Sequence, residues 1–290
     1  MLLNGKFCSQ TKARLTQYVE RLTKNEPFVG HFLMPSCIPT SSRTYRSDNG
    51  AAILKEAGVE VQRGDLDDLD TLRRGTAAAD GVIHLAFKHD FSDFAGSLAT
   101  DLRVIEAIGE ALEGSGKPFV TTAHAYRMAS DNAVIALAKR GVRTSIVSLA
   151  PSVHGKGNKG FVPRLINIAR DKGVSAYIGD GSNHWPAVHR LDAARLYRLA
   201  MEKAPAGSQL DGVADEGVPF RDIASVIGKH LNLPVVSISC EEADDHFGFL
   251  GEIAGLDIPR SSVQTQELLG WRPIHPTLIS DLEKGHYFKN

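Results

Sequence analysis

Cysteine is nearly missing from this sequence: Cys8, Cys37 and Cys240 are the only three, odd in number and far apart. They form neither a C-x-x-C pair nor a disulfide framework, which excludes a thiol-stapled scaffold and fits a reducing compartment. Net charge is missing as well. Lys and Arg number 33 against 34 Asp and Glu, with a pI near 6.8. A chain so balanced has no field for gathering nucleic acid or an anionic membrane. No stretch approaches the roughly 18 apolar residues of a membrane span, and no apolar core of a signal peptide opens the chain. The 11 histidines make no H-E-x-x-H, C2H2 or compact ligand cluster, so no metal site is expected. A soluble, cytoplasmic protein is expected, with a small-molecule substrate as its partner, neither nucleic acid nor membrane, and an open oligomeric state.

A further absence is positional. No G-x-G-x-x-G or G-x-x-G-x-x-G precedes the apolar run Val82-Ile83-His84-Leu85-Ala86. Residues 1–45 scatter Thr, Ser, Lys and Pro without a period, apart from a possible helix around Arg14–Leu22. Phe28-Val29-Gly30 is the one fragment resembling a strand that runs into a glycine turn.

From Arg46 the pattern is regular, alternating helix-period and strand-period segments. Ala51–Ala57 is predicted as a helix, Val59–Gln62 as a strand, Leu66–Ala79 as a helix and Gly81–Leu85 as a buried strand. Leu98, Leu102, Ile105, Ile108 and Leu112 recur at helical spacing. Phe119–Thr122 reads as a strand, Ala133–Lys139 as a helix and Thr144–Leu149 as a strand. This β-α-β order demands right-handed crossovers. Beyond Pro151 come a helix over Phe161–Arg170, one capped by Asp192, one started by Pro219 and a strand at Val235–Ser239. The fold class is therefore α/β: a Rossmann-like, doubly wound parallel sheet with a small C-terminal substrate lobe, its first βα unit absent or degenerate. The expected division is an atypical segment 1–45, a dinucleotide-binding core 46–155, and a smaller lobe 156–290 interleaved with the core. Its 290 residues suffice for a substantial apolar core.

Several positions carry candidate chemistry. Asp65, ending a strand, can accept from an adenine amino group while Leu66 covers the ring edge, or it can simply hold a turn; Arg46-Ser47 upstream can pair with a 2′-phosphate. His84 reads as a packed structural residue, and Ala86 as a small side chain that admits a ribose. Thr122 delivers a hydroxyl to a strand end, where it can orient a carbonyl or alcohol, although threonine also favours strands for propensity alone. Leu149-Ala150-Pro151-Ser152-Val153-His154-Gly155 is either a surface for a nicotinamide ring or a plain strand exit. His189 and Arg190, just before the helix expected at Asp192, either face a ligand or hold a lobe junction.

Together these residues resemble the extended and atypical short-chain dehydrogenase/reductases, the NAD(P)-dependent epimerase/dehydratase family. The motifs run in order: Arg46-Ser47-Asp48, Gly64-Asp65-Leu66, His84-Leu85-Ala86, Pro151 to Gly155, Val188-His189-Arg190-Leu191-Asp192 and Leu269-Gly270-Trp271-Arg272-Pro273. The resemblance implies an oxidoreductase that binds NADP or NAD and passes hydride at a carbonyl or alcohol carbon of a small compound. It also implies cofactor contacts at Arg46, Ser47, Asp65, Leu66, Ala86, Pro151 and Ser152. His89, His154, His189 and Arg190 are the candidate substrate contacts. The chain departs from the family at the glycine turn and at Y-x-x-x-K, where Tyr126 is followed four residues later by Ser130. Thr122, Tyr126 and Arg127 are then the catalytic candidates.

A rival reading keeps the scaffold without catalysis, as a nucleotide-binding or protein-interaction module. A third has residues 1–45 and the short 122–126 link arising from an altered reading frame or splice form.

Overall fold

The computed structural model describes residues 31–33, 42–45, 60–88, 90, 92–123 and 126–289, with side chains from residue 64 onward. The segments expected at Arg14–Leu22, Phe28–Gly30 and Ala51–Ala57 lie outside the described residues. In chain order the first elements are β1 (His31–Leu33), β2 (Ser42–Tyr45), β3 (Glu60–Arg63), α1 (Leu69–Ala78), β4 (Val82–His84), α2 (Phe94–Leu112), β5 (Pro118–Thr122), α3 (Met128–Ala138) and β6 (Arg143–Leu149). There follow β7 (Ser152–His154), α4 (Phe161–Lys172), β8 (Ser175–Ile178), β9 (His184–His189), α5 (Arg190–Lys203), β10 (Ser208–Gly212), β11 (Asp215–Pro219), α6 (Phe220–Leu231) and β12 (Val235–Ile238). Short helices α7 (Ala243–Phe247), α8 (Gly251–Ala254), α9 (Val263–Leu269) and α10 (Leu278–Glu283) complete the chain.

The chain divides into two compact units. Among the described residues, unit 1 takes everything to Ser148 together with Arg195–Leu210, and unit 2 takes Leu149–Ala194 and the stretch from Asp211 onward.

Unit 1 is built on a seven-stranded sheet in the order β10-β6-β5-β4-β1-β2-β3. β4, β5 and β6 run parallel, with Ile83 opposite Val120 and Val120 opposite Ser145. The short β1 is antiparallel to both β4 and β2. Fully buried strands need apolar side chains on both faces, and Val82, Ile83, Phe119 and Val120 are all at most 1% exposed. Asp68 caps α1, accepting from the Thr71 amide at 3.0 Å, and Asp93 caps α2, accepting from the Gly96 amide at 3.0 Å. The sequence placed Leu98 and Leu102 on the buried face of α2, but they are half-buried. Ser97, Thr100, Asp101 and Val104 are buried in their place, so the inward face at the start of this helix is polar. At Gly109 a Cβ would lie 2.5 Å from Leu137, so glycine lets α2 and α3 approach closely.

Unit 2 holds a three-stranded sheet, β11-β9-β7, and a parallel pair, β12-β8. Its core centres on Trp185, which meets Phe220 edge to face at 4.9 Å and donates to the Ile253 carbonyl at 3.1 Å. The helices expected over Phe161–Arg170 and after Pro219 are present as α4 and α6, but the pairing of β7, β9 and β11 has no periodic signature. A correction concerns Asp192. It does not cap α5, because β9 passes directly into the helix at Arg190. Its fully buried carboxylate instead accepts from the Ile274 amide at 3.1 Å and the His275 amide at 3.0 Å, while its own carbonyl accepts from the Trp271 indole at 3.0 Å.

These bonds make Asp192 the tether of the 271–275 segment. Asp192→Ala is expected to cost about 3 kcal/mol, since two main-chain donors lose a charged acceptor. Urea denaturation checks this, and a loss below about 1 kcal/mol would contradict the tether.

Candidate active site

At the carboxyl ends of the unit 1 strands a buried polar cluster forms around one carboxylate. Asp101 enters from the polar inward face of α2, 2% exposed. Its Oδ1 lies 3.0 Å from His84 Nε2, at the last residue of β4, and accepts from Arg127 Nη2 at 2.6 Å. Its Oδ2 accepts from Arg127 Nε at 2.9 Å and from the Ser130 hydroxyl at 2.6 Å. Arg127 is 7% exposed, and its guanidinium carbon stands 5.3 Å from the centre of the Phe87 ring. Burial pushes the Asp101 carboxyl up, but the hydrogen bond and charge of His84, the Arg127 guanidinium and the Ser130 hydroxyl outweigh it and bring the carboxyl down to about 2. Burial lowers the pKa of His84, against the opposing pull of Asp101.

Beside this cluster, Thr122 ends β5 half-buried, its Oγ1 2.6 Å from the Tyr197 hydroxyl. Burial raises the Tyr197 phenol well above its ordinary range, so the phenol stays protonated. The stronger acid of the pair, it is the natural donor to Thr122 Oγ1. Tyr126 is 61% exposed and sets its ring edge-on to Phe94 at 5.7 Å. Ala86 is buried. Leu66 is buried in the unit 1 core, and Asp65 Oδ1 accepts from the Asp67 amide at 3.0 Å, holding the turn after β3. Asp67 in turn pairs with Lys88 at 2.7 Å.

In unit 2 the sequence candidates gather around β7 and β9. Pro151 is half-buried, and Ser152 is 1% exposed with a hydroxyl that has no hydrogen-bond partner among the described residues. His154, fully buried, places Nδ1 3.1 Å from Asp281 Oδ2, and its ring meets His189 edge to face at 5.2 Å. His189 stacks on His275 at 4.7 Å. Arg190 is buried, and its side chain lies over Gly155, where a Cβ would come within 2.8 Å of it. The Gly155 amide donates to the Tyr287 hydroxyl at 2.6 Å. Arg46, Ser47 and His89 lie outside the described residues.

The sequence reading missed Asp101, Ser130, Tyr197, His275 and Asp281. Asp101 left one usable signal: an acid four residues before Ile105, on the inward face of an otherwise apolar helix. The others become visible only through contacts across 29 to 127 residues of chain, as with Ser130 to Asp101 and His154 to Asp281.

A buried charge stripped of its partner is costly. Asp101→Asn is expected to destabilise the protein by about 3–5 kcal/mol. The paired replacement Asp101→Leu with Arg127→Met should cost clearly less than the two single changes together. Chemical denaturation of the four proteins checks this, and simple additivity would contradict a coupled cluster.

No family model matches the chain. A protein of Schizosaccharomyces pombe, uncharacterized protein C2A9.02, is 48% identical over 264 residues, covering 84% of this chain and 90% of that one. A protein of Saccharomyces cerevisiae, uncharacterized protein YLL056C, is 38% identical over 291 residues, covering 91% and 98%. Since 84% of 290 residues is about 244 and 91% about 264, about 20 and about 27 aligned positions of these relatives have no counterpart here. Among solved structures, DesIV, a dTDP-glucose 4,6-dehydratase of Streptomyces venezuelae bound to NAD, superposes with a TM-score of 0.64 at 16% identity, covering 83% of this chain and 82% of that one. The UDP-glucose 4-epimerase of Thermotoga maritima gives 0.62 at 16% identity, covering 79% and 84%. RMD of Pseudomonas aeruginosa with NADPH gives 0.58 at 18% identity, covering 78% and 87%. The chain thus has the Rossmann-like α/β fold of the NAD-dependent epimerases and dehydratases, and by sequence it belongs to the family of the two yeast proteins.

Proposed function

We propose that the protein is an NAD(P)-dependent oxidoreductase of the short-chain dehydrogenase type, acting on a small carbonyl or hydroxyl compound, with NADP favoured by the Arg46-Ser47 pair. The observation that carries this reading is the Thr122–Tyr197 hydroxyl pair at 2.6 Å, at the carboxyl end of a parallel strand, where ligands of open α/β sheets bind. In this reading the buried phenol donates to Thr122 Oγ1, which leaves the Thr122 proton for a substrate oxygen. Thr122 then polarises a carbonyl, or holds the oxygen of an alcohol. Arg127, held by two bonds to Asp101, is a positioning residue that fixes the start of α3 and with it the exposed Tyr126.

The residues present fit the cofactor. In unit 1, Ala86 follows β4 with only a methyl group, which suits close approach of a ribose; in unit 2, taken by itself, the Ser152 hydroxyl, buried and without a hydrogen-bond partner among the described residues, suits a ligand hydrogen bond. Asp65, Leu66 and Pro151 are proposed as cofactor contacts on the resemblance alone, and His89, His189 and Arg190 as substrate contacts; His154, fully buried with its Nδ1 beside Asp281, is a positioning residue. Bound, NAD(P) supplies or takes up the hydride that interconverts a carbonyl and an alcohol.

The alternative, a non-catalytic nucleotide-binding module on the same scaffold, is favoured by one observation: both Asp101-facing nitrogens of Arg127 are engaged, in a helix without the family's lysine. Calorimetric titration of the folded chain with NADPH and NADH tests the reading. Micromolar dissociation constants, tighter for NADPH, are expected; no binding up to millimolar concentration would overturn it. Binding with no NADPH consumption across a panel of small aldehydes and ketones would favour the alternative.

A further inference from the structure

His189 sits in the middle of a row of imidazoles in unit 2. On one side His275 stacks against it at 4.7 Å with the rings 11° apart, and His275 Nδ1 lies 2.9 Å from Asp192 Oδ1. On the other side His154 meets it edge to face at 5.2 Å, and His154 Nδ1 lies 3.1 Å from Asp281 Oδ2. Carboxylates accept, so both outer histidines carry a proton on Nδ1. The middle ring is different. Its Nδ1 accepts from the Leu191 main-chain amide at 3.3 Å. An amide nitrogen can only donate, so Nδ1 of His189 must offer a lone pair and its proton must reside on Nε2.

Charging this ring would require turning the Leu191 amide away and setting a cation 7% exposed between two other imidazoles. The charged and titratable groups that face it are His154 from β7, His275 from the segment after Trp271, Asp192 and Arg190 from α5, and Asp281 from α10. Behind Asp281 stand Lys284 at 3.7 Å, His286 at 3.9 Å and the Tyr287 hydroxyl at 3.2 Å. The Asp281 and Asp192 carboxylates both favour the charged ring, but burial and the two neighbouring imidazoles outweigh them.

We infer that His189 serves as a fixed, neutral Nε2–H donor and not as a proton-transfer group, and that His154 and His275 are positioning residues that hold it in that tautomer. The ligand group it takes is an acceptor oxygen of a hydroxyl, carbonyl or ether. The inference rests on the proposed assignment of His189 to substrate contact, but the state of the ring is testable without any ligand. Burial, then the neighbouring His154 and His275, bring its pKa from 6.5 down to about 4. With the folded value depressed, His189 contributes stability that is whole above about pH 6.5 and is lost as pH falls towards about 4, roughly tenfold in the folding equilibrium per pH unit.

The test is a long-range proton–nitrogen correlation spectrum of the 15N-labelled full chain, followed from neutral pH to about pH 4.5, with the His189 signals assigned by their loss in His189→Gln. One pyridine-type Nδ1 and one pyrrole-type Nε2, unchanged down to about pH 5, are expected. In His275→Phe the protonation midpoint should move upward. A proton on Nδ1, or a midpoint near the ordinary 6.5, would overturn the inference. Should either variant fail to fold, the urea midpoint of the unmodified chain gives the second reading: stability should fall between about pH 6.5 and 5, and a flat profile would overturn the inference too. Failure of the NADPH titration with the expected His189 tautomer would instead sink the oxidoreductase reading alone.

Discussion

The Asp101 carboxylate is the constraint on which the carboxyl end of unit 1 depends. It gathers the last residue of β4, the first turns of α2 and the start of α3 through His84, Arg127 and Ser130. Burial alone would neutralise such an acid. It stays ionised because His84, the Arg127 guanidinium, whose two bonds match its two oxygens, and the Ser130 hydroxyl together outweigh that cost, and Phe87 covers the guanidinium. The polar stretch Ser97–Asp101, at first sight a flaw in an apolar helix, is what allows this cluster to exist. Its geometry fixes the end of β4, the strand beside the one that carries Thr122.

Unit 2 applies the same physics at a different place. Asp192 and Asp281 are buried carboxylates satisfied by main-chain amides, imidazoles and a tyrosine hydroxyl, and they draw the segment from Trp271 to Tyr287 onto β7 and β9. Three imidazoles then stand in one row. Two of them pair with carboxylates, and the third is left neutral with its tautomer dictated by the main chain.

Much of the fold was legible in the sequence. Leu72, Ile105, Ile108, Phe119 and Val147 mark their helices and strands by period, and all five are core residues. The helix ends were less legible, because Asp68 and Asp93 cap their helices while Asp192, of the same residue type before a similar apolar pattern, does not. The difference lies in the path of the chain: β9 runs straight into α5 at Arg190, and the Asp192 carboxylate serves the Ile274 and His275 amides some 80 residues away. The candidate site was legible only in part. Thr122 could be chosen for its place at a strand end, but nothing local shows that Tyr197 meets it. Arg127 could be picked as a cation near the family's lysine position, yet its partner Asp101 lies on another helix.

The central claim is that the carboxyl end of the unit 1 strands is a nucleotide-binding surface organised by the Asp101 cluster. Hydrogen–deuterium exchange of the full chain, with and without millimolar NADPH, tests it most directly. Slowed exchange in peptides covering residues 84–88 and 121–131 is the expected result. Unchanged exchange in both stretches would contradict it.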